Sequence, residues 1–447
     1  MLTRLLAHEH CARRPIKKSD EPKKYSTSSE VFLGKDRCGT AAVCRKVKKP
    51  TCGLLRENMN PAVAVITLNW NGWHDTIECL KSLYQMDYGS CQIVVVDNAS
   101  TDESLAKIDW YCTNELKFVP HFTEARVRDK PIKVTQYTKG HPSTSAQPRE
   151  MVEQPKANHV LTVIQNDCNY GFAEGNNIGV AYALSCFNPD YVLLLNNDAV
   201  ASQCFLNALV NAAENDEQIG LIQPKLLRYA DATIDNTGNV CDRLVYCEPR
   251  GLGETDTGQY DNDQKQEFFY ASGACVLINR RLLSALSGQC FDPCLFAYYE
   301  DVDLSWAARL IGFKVAYCPE SVCYHKGNAT FGGRNPFTDY LNDRNRLRVM
   351  IKNYELRTLV FVLPFTAALK LAILAVESII GLDYRHPCSF FKALLWNAQH
   401  FRSTLTARRG IQSKRKVPDS EIISRMIPFS FKASLKLMER WAVMTVK

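Results

Sequence analysis

The sequence predicts an α/β fold in which helices flank a mostly parallel β-sheet, followed by a helical C-terminal region. From Ala62 onwards, short apolar segments alternate with segments whose apolar residues recur at helical spacing, which is typical of βαβ units. The chain has 447 residues, of which 46% are hydrophobic and 23% are charged, so it can bury a large core. After Ala329 the pattern becomes helical.

The elements follow one another in the order that such a fold requires. The helical spacing predicts helices over 74–85, 173–186 and 205–214, and a further helix that begins at Glu300. Nearly continuous apolar runs predict buried strands over 63–69, 93–96, 160–164, 191–195 and 273–278. Residues 112–158 are polar and contain proline and glycine, and we interpret them as an insertion.

The first 60 residues carry the positive charge of the chain. They contain 14 Lys and Arg against 6 Asp and Glu, a net charge of +8, whereas the whole chain has +7, so the remainder is near neutral. They have no regular apolar period and no apolar run of about 7 to 15 residues, which excludes a typical signal peptide. We predict a disordered tail, and a lipid- or nucleic-acid-binding arm is the alternative.

The 18 cysteines contain no Cys-x-x-Cys pair. This pattern disfavours zinc ribbons and dithiol redox motifs. Free thiols in a reducing cytoplasm are the simpler interpretation, and a disulfide between distant positions stays open.

Two acidic residues follow predicted strands. Asp97 ends the second strand, and Asp198 follows the strand at 191–195. Ligands of open parallel sheets bind outside the carboxyl ends of the strands. One carboxylate there can accept a hydrogen bond from a nucleoside, and another can bind Mg²⁺ or Mn²⁺ beside a diphosphate. The alternative for each residue is a helix N-cap.

A glycine-containing segment at 169–179 precedes a predicted helix. Its glycine spacing matches neither the dinucleotide fingerprint nor the Walker loop. Gly171 permits close approach of the backbone to an anion at the helix N-terminus. The alternative is that Gly175 and Gly179 let the helix pack tightly on the sheet.

Five motifs in this order resemble the family 2 glycosyltransferases of the GT-A fold, in the branch that contains bacterial rhamnosyl- and galactofuranosyl-transferases. The resemblance covers residues 62–353. The usual Asp-x-Asp motif is reduced here to its last acid. The motifs are Val65-Ile66-Thr67-Leu68-Asn69-Trp70-Asn71-Gly72, Val96-Asp97-Asn98-Ala99-Ser100-Thr101-Asp102, Asn169-Tyr170-Gly171-Phe172, Asn196-Asn197-Asp198 and Tyr299-Glu300-Asp301-Val302-Asp303.

Eleven residues are candidates for the site, and the resemblance implies the roles of six of them, namely Thr67, Asn69 and Asp97 for the nucleoside, Asp198 and His325 for the metal, and Asp301 for the base. Asp198 is implied as a metal ligand together with His325, for which a structural role is the alternative. Asp301 is implied as the base that takes the proton of the acceptor hydroxyl, with Glu300 beside it. The alternative is a negatively charged first helical turn. The candidates for binding of the nucleotide sugar are Thr67, Asn69, Asp97, Asn169, Gly171, Asn176 and Asn197.

The C-terminal region, residues 354–447, has an apolar run over 359–382 that is long enough to cross a membrane but contains Pro364, Lys370 and Glu377. A basic cluster without acidic residues follows it at 402–416. We predict association with the cytoplasmic face of a membrane, peripherally or through 359–382. A buried helical hairpin with a solvated basic loop is the alternative.

Together these features predict an inverting glycosyltransferase that uses Mn²⁺ or Mg²⁺. Its expected donor is a nucleotide-diphosphate sugar, and its acceptor is a hydroxyl of a glycan or lipid-linked glycan in the synthesis of cell-surface polysaccharide. The expected partners include a membrane surface and no nucleic acid. A catalytically silent sugar-nucleotide- or glycan-binding module and a nucleotidyltransferase are the alternatives.

Overall fold

The structure is a computed structural model, and it describes residues 60–113, 133–138, 160–262, 268–327, 335–379 and 385–428. The predicted N-terminal tail, apart from Asn60, lies outside these residues. The same is true of most of the predicted insertion at 112–158.

A ten-stranded mixed sheet forms the centre of the fold. Its strands are β1 (Val63–Asn69), β2 (Cys91–Asp97), β3 (Lys133–Thr138), β4 (Val160–Gln165), β5 (Tyr191–Leu195), β6 (Ala199–Ala201), β7 (Ile219–Arg228), β8 (Ile234–Asn236), β11 (Cys275–Asn279) and β12 (Lys314–His325). Two further strands, β9 (Asn239–Cys241) and β10 (Cys247–Pro249), form a separate two-stranded sheet.

The order of the strands in the large sheet is β3-β4-β2-β1-β5-β11-β7-β12-β6, with β8 paired to β7. The pairings from β3 to β5 and between β7 and β12 are parallel, whereas β11 and β6 run antiparallel to their neighbours. The predicted mostly parallel sheet is therefore confirmed.

Helices cover both faces of the sheet, and a buried apolar cluster lies on each side. The long runs of apolar residues in β1, β2 and β5 arise because both faces of these strands are covered. The helices are α1 (Trp73–Tyr84), α2 (Ser104–Thr113), α3 (Gly171–Cys186), α4 (Phe205–Glu214), α5 (Arg280–Ala285), α6 (Glu300–Leu310), α7 (Pro336–Asn353), α8 (Leu356–Ile379), α9 (Arg385–Gln399), α10 (Phe401–Gln412) and α11 (Asp419–Ser424).

Helix α3 packs tightly against β1 because two of its turns carry glycine. A Cβ atom at Gly175 would lie 2.6 Å from the side chain of Leu68, and one at Gly179 would lie 2.5 Å from that of Ile66. The packing alternative for these two glycines is therefore confirmed.

The structure describes two elements within the predicted insertion at 112–158. Helix α2 continues to Thr113, and β3 adds a parallel edge strand beside β4. The sequence of β3, Lys-Val-Thr-Gln-Tyr-Thr, contains β-branched and aromatic residues, which favour a strand even in polar surroundings.

The C-terminal helices pack on α7, as the predicted helical region requires. Ser389 of α9 donates a hydrogen bond to the carbonyl of Pro336 at 2.8 Å, and Arg348 donates to the hydroxyl of Thr404 in α10 at 2.7 Å. Within α8, Leu356–Ala375 is long and apolar enough to cross a membrane, with a mean hydropathy of 2.1 and 17% of this stretch buried. It is the one such helix among the described residues.

Candidate active site

A cleft of about 540 Å³ opens at the carboxyl ends of the parallel strands. The turns that follow β1, β2, β4 and β5 each contribute to its wall. The lining residues are Leu68, Trp70, Asn71, Gly72, Asp75, Asn98, Asn169, Gly171, Phe172, Asn196, Asn197, Asp198, Ser272, Gly273, Ala274, Phe296, Ala297, Tyr298, Glu300, Asp301 and His325.

Seven of the eleven candidate residues line this cleft, although the sequence separates them by up to about 150 positions. The cleft brings together Asn169, Gly171, Asn197, Asp198, Glu300, Asp301 and His325. The other four are buried and do not line it, namely Thr67, Asn69, Asp97 and Asn176.

Asp198 and His325 meet at one side of the cleft. The Nε2 atom of His325 lies 3.3 Å from Oδ1 of Asp198, and its Nδ1 atom lies 3.0 Å from Oδ2 of Asp235. His325 is therefore oriented by one carboxylate and presents its other nitrogen to a second. Metal-ligating histidines are commonly held by a carboxylate in this way. Asp235 was not identified from the sequence.

The charges of this group are coupled. Burial by itself lowers the pKa of His325, but hydrogen bonds to Asp198 and Asp235 raise that pKa to about 10. Burial raises the pKa of Asp198, whereas its hydrogen bond and attraction to His325 outweigh this effect and lower that pKa. The side chains of Asp198 and His325 thus neutralise one another in this arrangement. A divalent cation that uses the Nε2 atom needs the imidazole in its neutral form.

The alternative of a helix N-cap is wrong for Asp198. The residues after it form strand β6, which pairs with β12 so that Ala199 is the partner of His325. This pairing brings His325 next to Asp198, and the backbone N–H of Lys326 donates to the carbonyl of Asp198 at 3.0 Å.

Asp301 and Glu300 begin α6 and line the same cleft. The backbone N–H of Gly273 donates to Oδ2 of Asp301 at 3.1 Å, and that of Val302 donates to Oδ1 at 2.8 Å. Both acids line the cleft because they lie in the first turn of the helix, whose N-terminus faces it. Among the described residues, Oε2 of Glu300 is buried and accepts no hydrogen bond.

Burial raises the pKa of both carboxyl groups. The pKa of Glu300 is raised well above its usual value by burial and then by repulsion from Asp301 and Asp303. Burial also raises the pKa of Asp301, and the two backbone N–H donors partly oppose this shift. Burial thus favours the neutral form of both carboxyl groups, and the two backbone donors oppose this effect at Asp301.

Asp97 lies beneath the cleft, where a hydrogen-bond network connects it to the cleft wall. Its carboxylate accepts from Asn69 at 2.8 Å and from the hydroxyl of Ser100 at 2.6 Å. Asn69 in turn accepts from the hydroxyl of Thr76 at 2.7 Å, and Asn197 donates to that hydroxyl at 3.0 Å. Asp97 thus orients Asn69 and, through Thr76, the lining residue Asn197.

A loop with unusual backbone conformation packs against Gly171 in the wall of the cleft. Phe296, Tyr298 and Tyr299 have φ angles of 65°, 69° and 69°, which non-glycine residues rarely adopt. Gly171 also has a positive φ of 79°, and a Cβ atom there would lie 2.4 Å from the ring of Phe296. Only glycine leaves room for this loop to approach helix α3 so closely.

The aromatic residues near this loop divide between the cleft and the core. Phe296 and Tyr298 line the cleft, where aromatic rings can stack on the face of a sugar. Phe291 and Trp306 are instead buried in the apolar core.

Asn345 of α7 holds the strained loop. Its Nδ2 atom donates to the carbonyl oxygens of Leu295, Ala297 and Tyr298 at 2.8, 2.8 and 2.7 Å. Arg344 beside it donates to the carbonyl of Leu295 at 2.7 Å. No local motif marks Asn345, because its partners lie almost 50 positions earlier in the chain.

We expect Asn345→Ala to lower the free energy of unfolding by about 2–4 kcal/mol, because it removes a buried donor to three carbonyls and the support of the strained residues. Urea denaturation followed by circular dichroism measures this loss. Asn342→Ala is the matched control on the same helix. Its Nδ2 atom donates to one carbonyl of its own helix, and we expect a loss below about 1 kcal/mol. Equal losses in the two variants would contradict the assigned role.

The family of the chain is decided by two sequence profiles. The profile described as "Glycosyl transferase family 2" matches residues 63–129, and the profile described as "Glycosyltransferase like family 2" matches residues 132–347. Together they cover well over half of the chain, including the residues of the cleft. The chain belongs to family 2 of the glycosyltransferases. This membership and the sheet described above confirm the GT-A fold class.

Curated relatives agree with the rhamnosyltransferase-like branch. The glycosyltransferase is 19% identical over 268 residues to the "Low-salt glycan biosynthesis hexosyltransferase Agl10" of Haloferax volcanii, which covers 60% of this chain and 68% of the relative. It is 27% identical over 158 residues to the "N-acetylglucosaminyl-diphospho-decaprenol L-rhamnosyltransferase" of Mycobacterium tuberculosis, covering 33% of this chain and 50% of that relative. The match thus spans only half the length of the mycobacterial relative.

Among solved structures, the glycosyltransferase resembles the "Mannosyltransferase PcManGT from Pyrobaculum calidifontis in complex with GDP-Man and Mn2+". The TM-score is 0.42 and the sequence identity 16%, with coverage of 80% of this chain and 86% of that one. The predicted transfer of a sugar in glycan biosynthesis is confirmed by the family and its curated relatives. The roles of the individual residues of the glycosyltransferase stay predictions.

Proposed function

We propose that the enzyme transfers a sugar, with inversion, from a nucleoside-diphosphate donor to a hydroxyl group of a glycan or lipid-linked glycan. One observation carries this proposal. Asp198 and Asp301, about a hundred positions apart in the chain, open onto one cleft at the carboxyl ends of the strands. Such a transfer requires an acidic residue that binds a cation and a second residue that acts as a base, and Asp198 and Asp301 are the candidates for these two roles.

The residues around Asp198 fit a divalent cation. The carboxylate oxygen of Asp198 and the Nε2 atom of His325 are hard or borderline donors of the kind that Mn²⁺ and Mg²⁺ accept, and Asp235 fixes the ring of His325. Among the described residues no cluster of three or more such side chains is preformed. The diphosphate of the donor would then supply further oxygen ligands. A bound cation neutralises charge that develops on the departing diphosphate.

Asp301 would activate the acceptor. Its ionised carboxylate takes the proton of the acceptor hydroxyl while the oxygen forms a bond to the anomeric carbon of the donor. The bond between that carbon and the diphosphate oxygen breaks, and the nucleoside diphosphate leaves with the electron pair. Glu300 and the lining aromatic residues Phe296 and Tyr298 would bind the acceptor beside Asp301.

The raised pKa of Asp301 predicts how the rate depends on pH. As the pH falls through this pKa, Asp301 gains a proton and kcat/KM should decrease about tenfold for each further pH unit. The midpoint should lie above the value of about 3.9 of an ordinary aspartate, because burial raises the pKa. Initial rates from pH 4 to 8, with circular dichroism at each pH to exclude unfolding, measure the profile. A constant kcat/KM down to pH 4 would contradict the assignment.

The acceptor and the location belong to the same proposal. The name of the mycobacterial relative describes transfer to a sugar on a lipid diphosphate. The apolar helix α8 and the basic residues after it favour work at the cytoplasmic face of a membrane. Rhamnose is the first sugar to test, because several curated relatives are rhamnosyltransferases.

A screen of the purified full chain against a panel of nucleotide sugars with Mn²⁺ or Mg²⁺ tests the proposal, with release of nucleoside diphosphate as the readout. We expect cation-dependent release from one or a few donors. Binding of donors without any release would favour a silent binding module. Release of inorganic diphosphate from nucleoside triphosphates would favour a nucleotidyltransferase.

A further inference from the structure

Helix α8 has one face that packs on the body of the protein. Leu359, Thr366 and Leu374 are buried along this face, at spacings that keep them on one side of a helix. Midway along the helix, Nζ of Lys370 lies 2.9 Å from a carboxylate oxygen of Asp343 in α7, and both side chains are largely buried. Lys370 also lies over the ring of Phe390 in α9, 5.9 Å from its centroid. Helix α8 is therefore fixed alongside α7 and α9.

The opposite face of α8 is apolar and exposed. Phe361 is 77% exposed and is the most exposed of a series that repeats every three to four residues. The series spans roughly 22 Å along the helix, at a rise of about 1.5 Å per residue. Soluble proteins rarely expose a continuous apolar strip of this size. Its large members are Leu356, Val360, Phe361, Phe365 and Leu371.

Helix α9 repeats this division. Ala393 and Trp396 are buried, and Trp396 lies under the guanidinium of Arg344, 4.5 Å from it. The other face of α9 exposes Phe391, Leu394 and Leu395, with Leu395 59% exposed, and Phe401 continues the exposed apolar residues at the start of α10.

The charges along these helices are mostly positive. Residues 356–418 contain ten Lys and Arg against two acidic residues, Glu377 and Asp383. Lys392, Arg402 and Arg409 are exposed near the apolar residues. An apolar face with a basic surround matches an anionic lipid surface, in which the apolar side chains enter the acyl boundary and the cations stay at the headgroups.

We propose that α8 and α9 form one membrane-binding face that lies in the plane of an anionic lipid surface, without crossing it. To cross as a single span, α8 would have to leave α7 and expose the buried pair of Lys370 and Asp343 to lipid. In the plane, this pair stays buried and only the apolar face meets the lipid. The role of this membrane-binding face rests on the proposed function, because it would bring the enzyme to a lipid-linked acceptor.

Binding of α8 and α9 to lipid would also set the position of the cleft relative to the membrane. Helix α7, on which α8 and α9 pack, carries Asn345, which holds the loop 295–298 at the cleft. The lipid surface and the acceptor side of the cleft are therefore separated by one helix. A lipid-linked acceptor would reach Asp301 without leaving the membrane.

Flotation of the full chain with vesicles tests the lipid contact. We expect binding to vesicles with roughly 30% anionic lipid and much weaker binding to neutral vesicles. Phe361→Ser combined with Leu395→Ser should lower the partition coefficient between water and vesicles by at least roughly tenfold, because each change removes an apolar side chain that would be buried in the lipid. The matched control is Trp110→Ser combined with Leu252→Ser, which removes two exposed apolar side chains elsewhere. This control should bind as the unchanged chain does.

Topology is measured separately, on full chains made with sealed microsomes and carrying a glycosylation acceptor tag at one end or the other. We expect membrane-bound protein with neither tag glycosylated. Glycosylation of one tag would show that α8 crosses and would overturn the proposal. Equal vesicle binding by Phe361→Ser with Leu395→Ser and by the control Trp110→Ser with Leu252→Ser would also overturn the proposal. Self-association of the chain through Phe361 and Leu395, without binding to lipid, would overturn it as well.

Release of nucleoside diphosphate in lipid-free solution distinguishes this inference from the proposed function. Phe361→Ser with Leu395→Ser should retain this activity, since neither residue lines the cleft. Loss of vesicle binding with retained release supports the membrane face. Vesicle binding without release from any donor would leave the membrane face intact and overturn the proposed function.

Discussion

Asp301→Asn is expected to reduce the rate of sugar transfer by about 10²- to 10⁴-fold, the usual contribution of a positioned general base. An amide keeps the shape of the side chain and can still accept the hydrogen bond of Gly273. It cannot take the proton of the acceptor hydroxyl. Donor binding should therefore remain while transfer is lost, as measured by the initial rate at saturating donor and acceptor.

Glu300→Gln is the matched control for this prediction. Burial and the neighbouring acids hold the pKa of Glu300 well above its usual value, which favours the neutral form of the side chain. A glutamine resembles this neutral form, and we expect less than about a tenfold loss of rate. If Glu300→Gln lost more activity than Asp301→Asn, the two roles would have to be exchanged.

Asp198→Ala is expected to lower cation-dependent turnover by roughly 10²- to 10³-fold, because it removes the acidic oxygen that would hold the cation beside the diphosphate. The usual Asp-x-Asp motif is reduced here to Asn196-Asn197-Asp198, so no second acid of that motif compensates. Turnover measured against Mn²⁺ concentration should show both a lower maximum and a higher requirement for the cation.

Asp235→Asn is the variant to be compared with Asp198→Ala. Asp235 contacts His325 but not the cleft, so it acts on the cation only through the imidazole. Loss of such an orienting carboxylate typically weakens metal affinity by about 10- to 100-fold. The effect should therefore be smaller than that of Asp198→Ala. Full turnover by Asp198→Ala at the same Mn²⁺ concentration would remove the residue from the proposed cation site.

The strands and the site acids at their ends were predictable because their signals are local. The predicted limits of β1 and β5 agree with the structure, since both strands are buried on both faces and a polar residue marks the end of each, Asn69 within β1 and Asn196 just after β5. The start of α6 at Glu300 agrees as well. The family resemblance, and not a local signal, predicted that Asp97, Asp198 and Asp301 share one cleft. Asp198 and Asp301 line the cleft, whereas Asp97 is buried and does not.

Features that depend on distant contacts were not predictable. Asp97 ends its strand as expected, but only the structure shows that Asn69 and Ser100 hold it beneath the cleft. The strand pairing of β6 that aligns His325 with Asp198 involves three residues, too few for a periodic signal. Asn345 and Asp235 gain their roles from partners many positions away.

Calorimetric titration tests directly whether Asp198 holds the cation and Asp301 acts as the base. The donor found in the screen is titrated, with and without Mn²⁺, into the unchanged chain, Asp198→Ala and Asp301→Asn. We expect Asp198→Ala to lose the Mn²⁺-dependent part of donor binding, whereas Asp301→Asn should bind the donor as the unchanged chain does but transfer no sugar. Unaltered Mn²⁺-dependent binding by Asp198→Ala, together with full transfer by Asp301→Asn, would contradict these two roles.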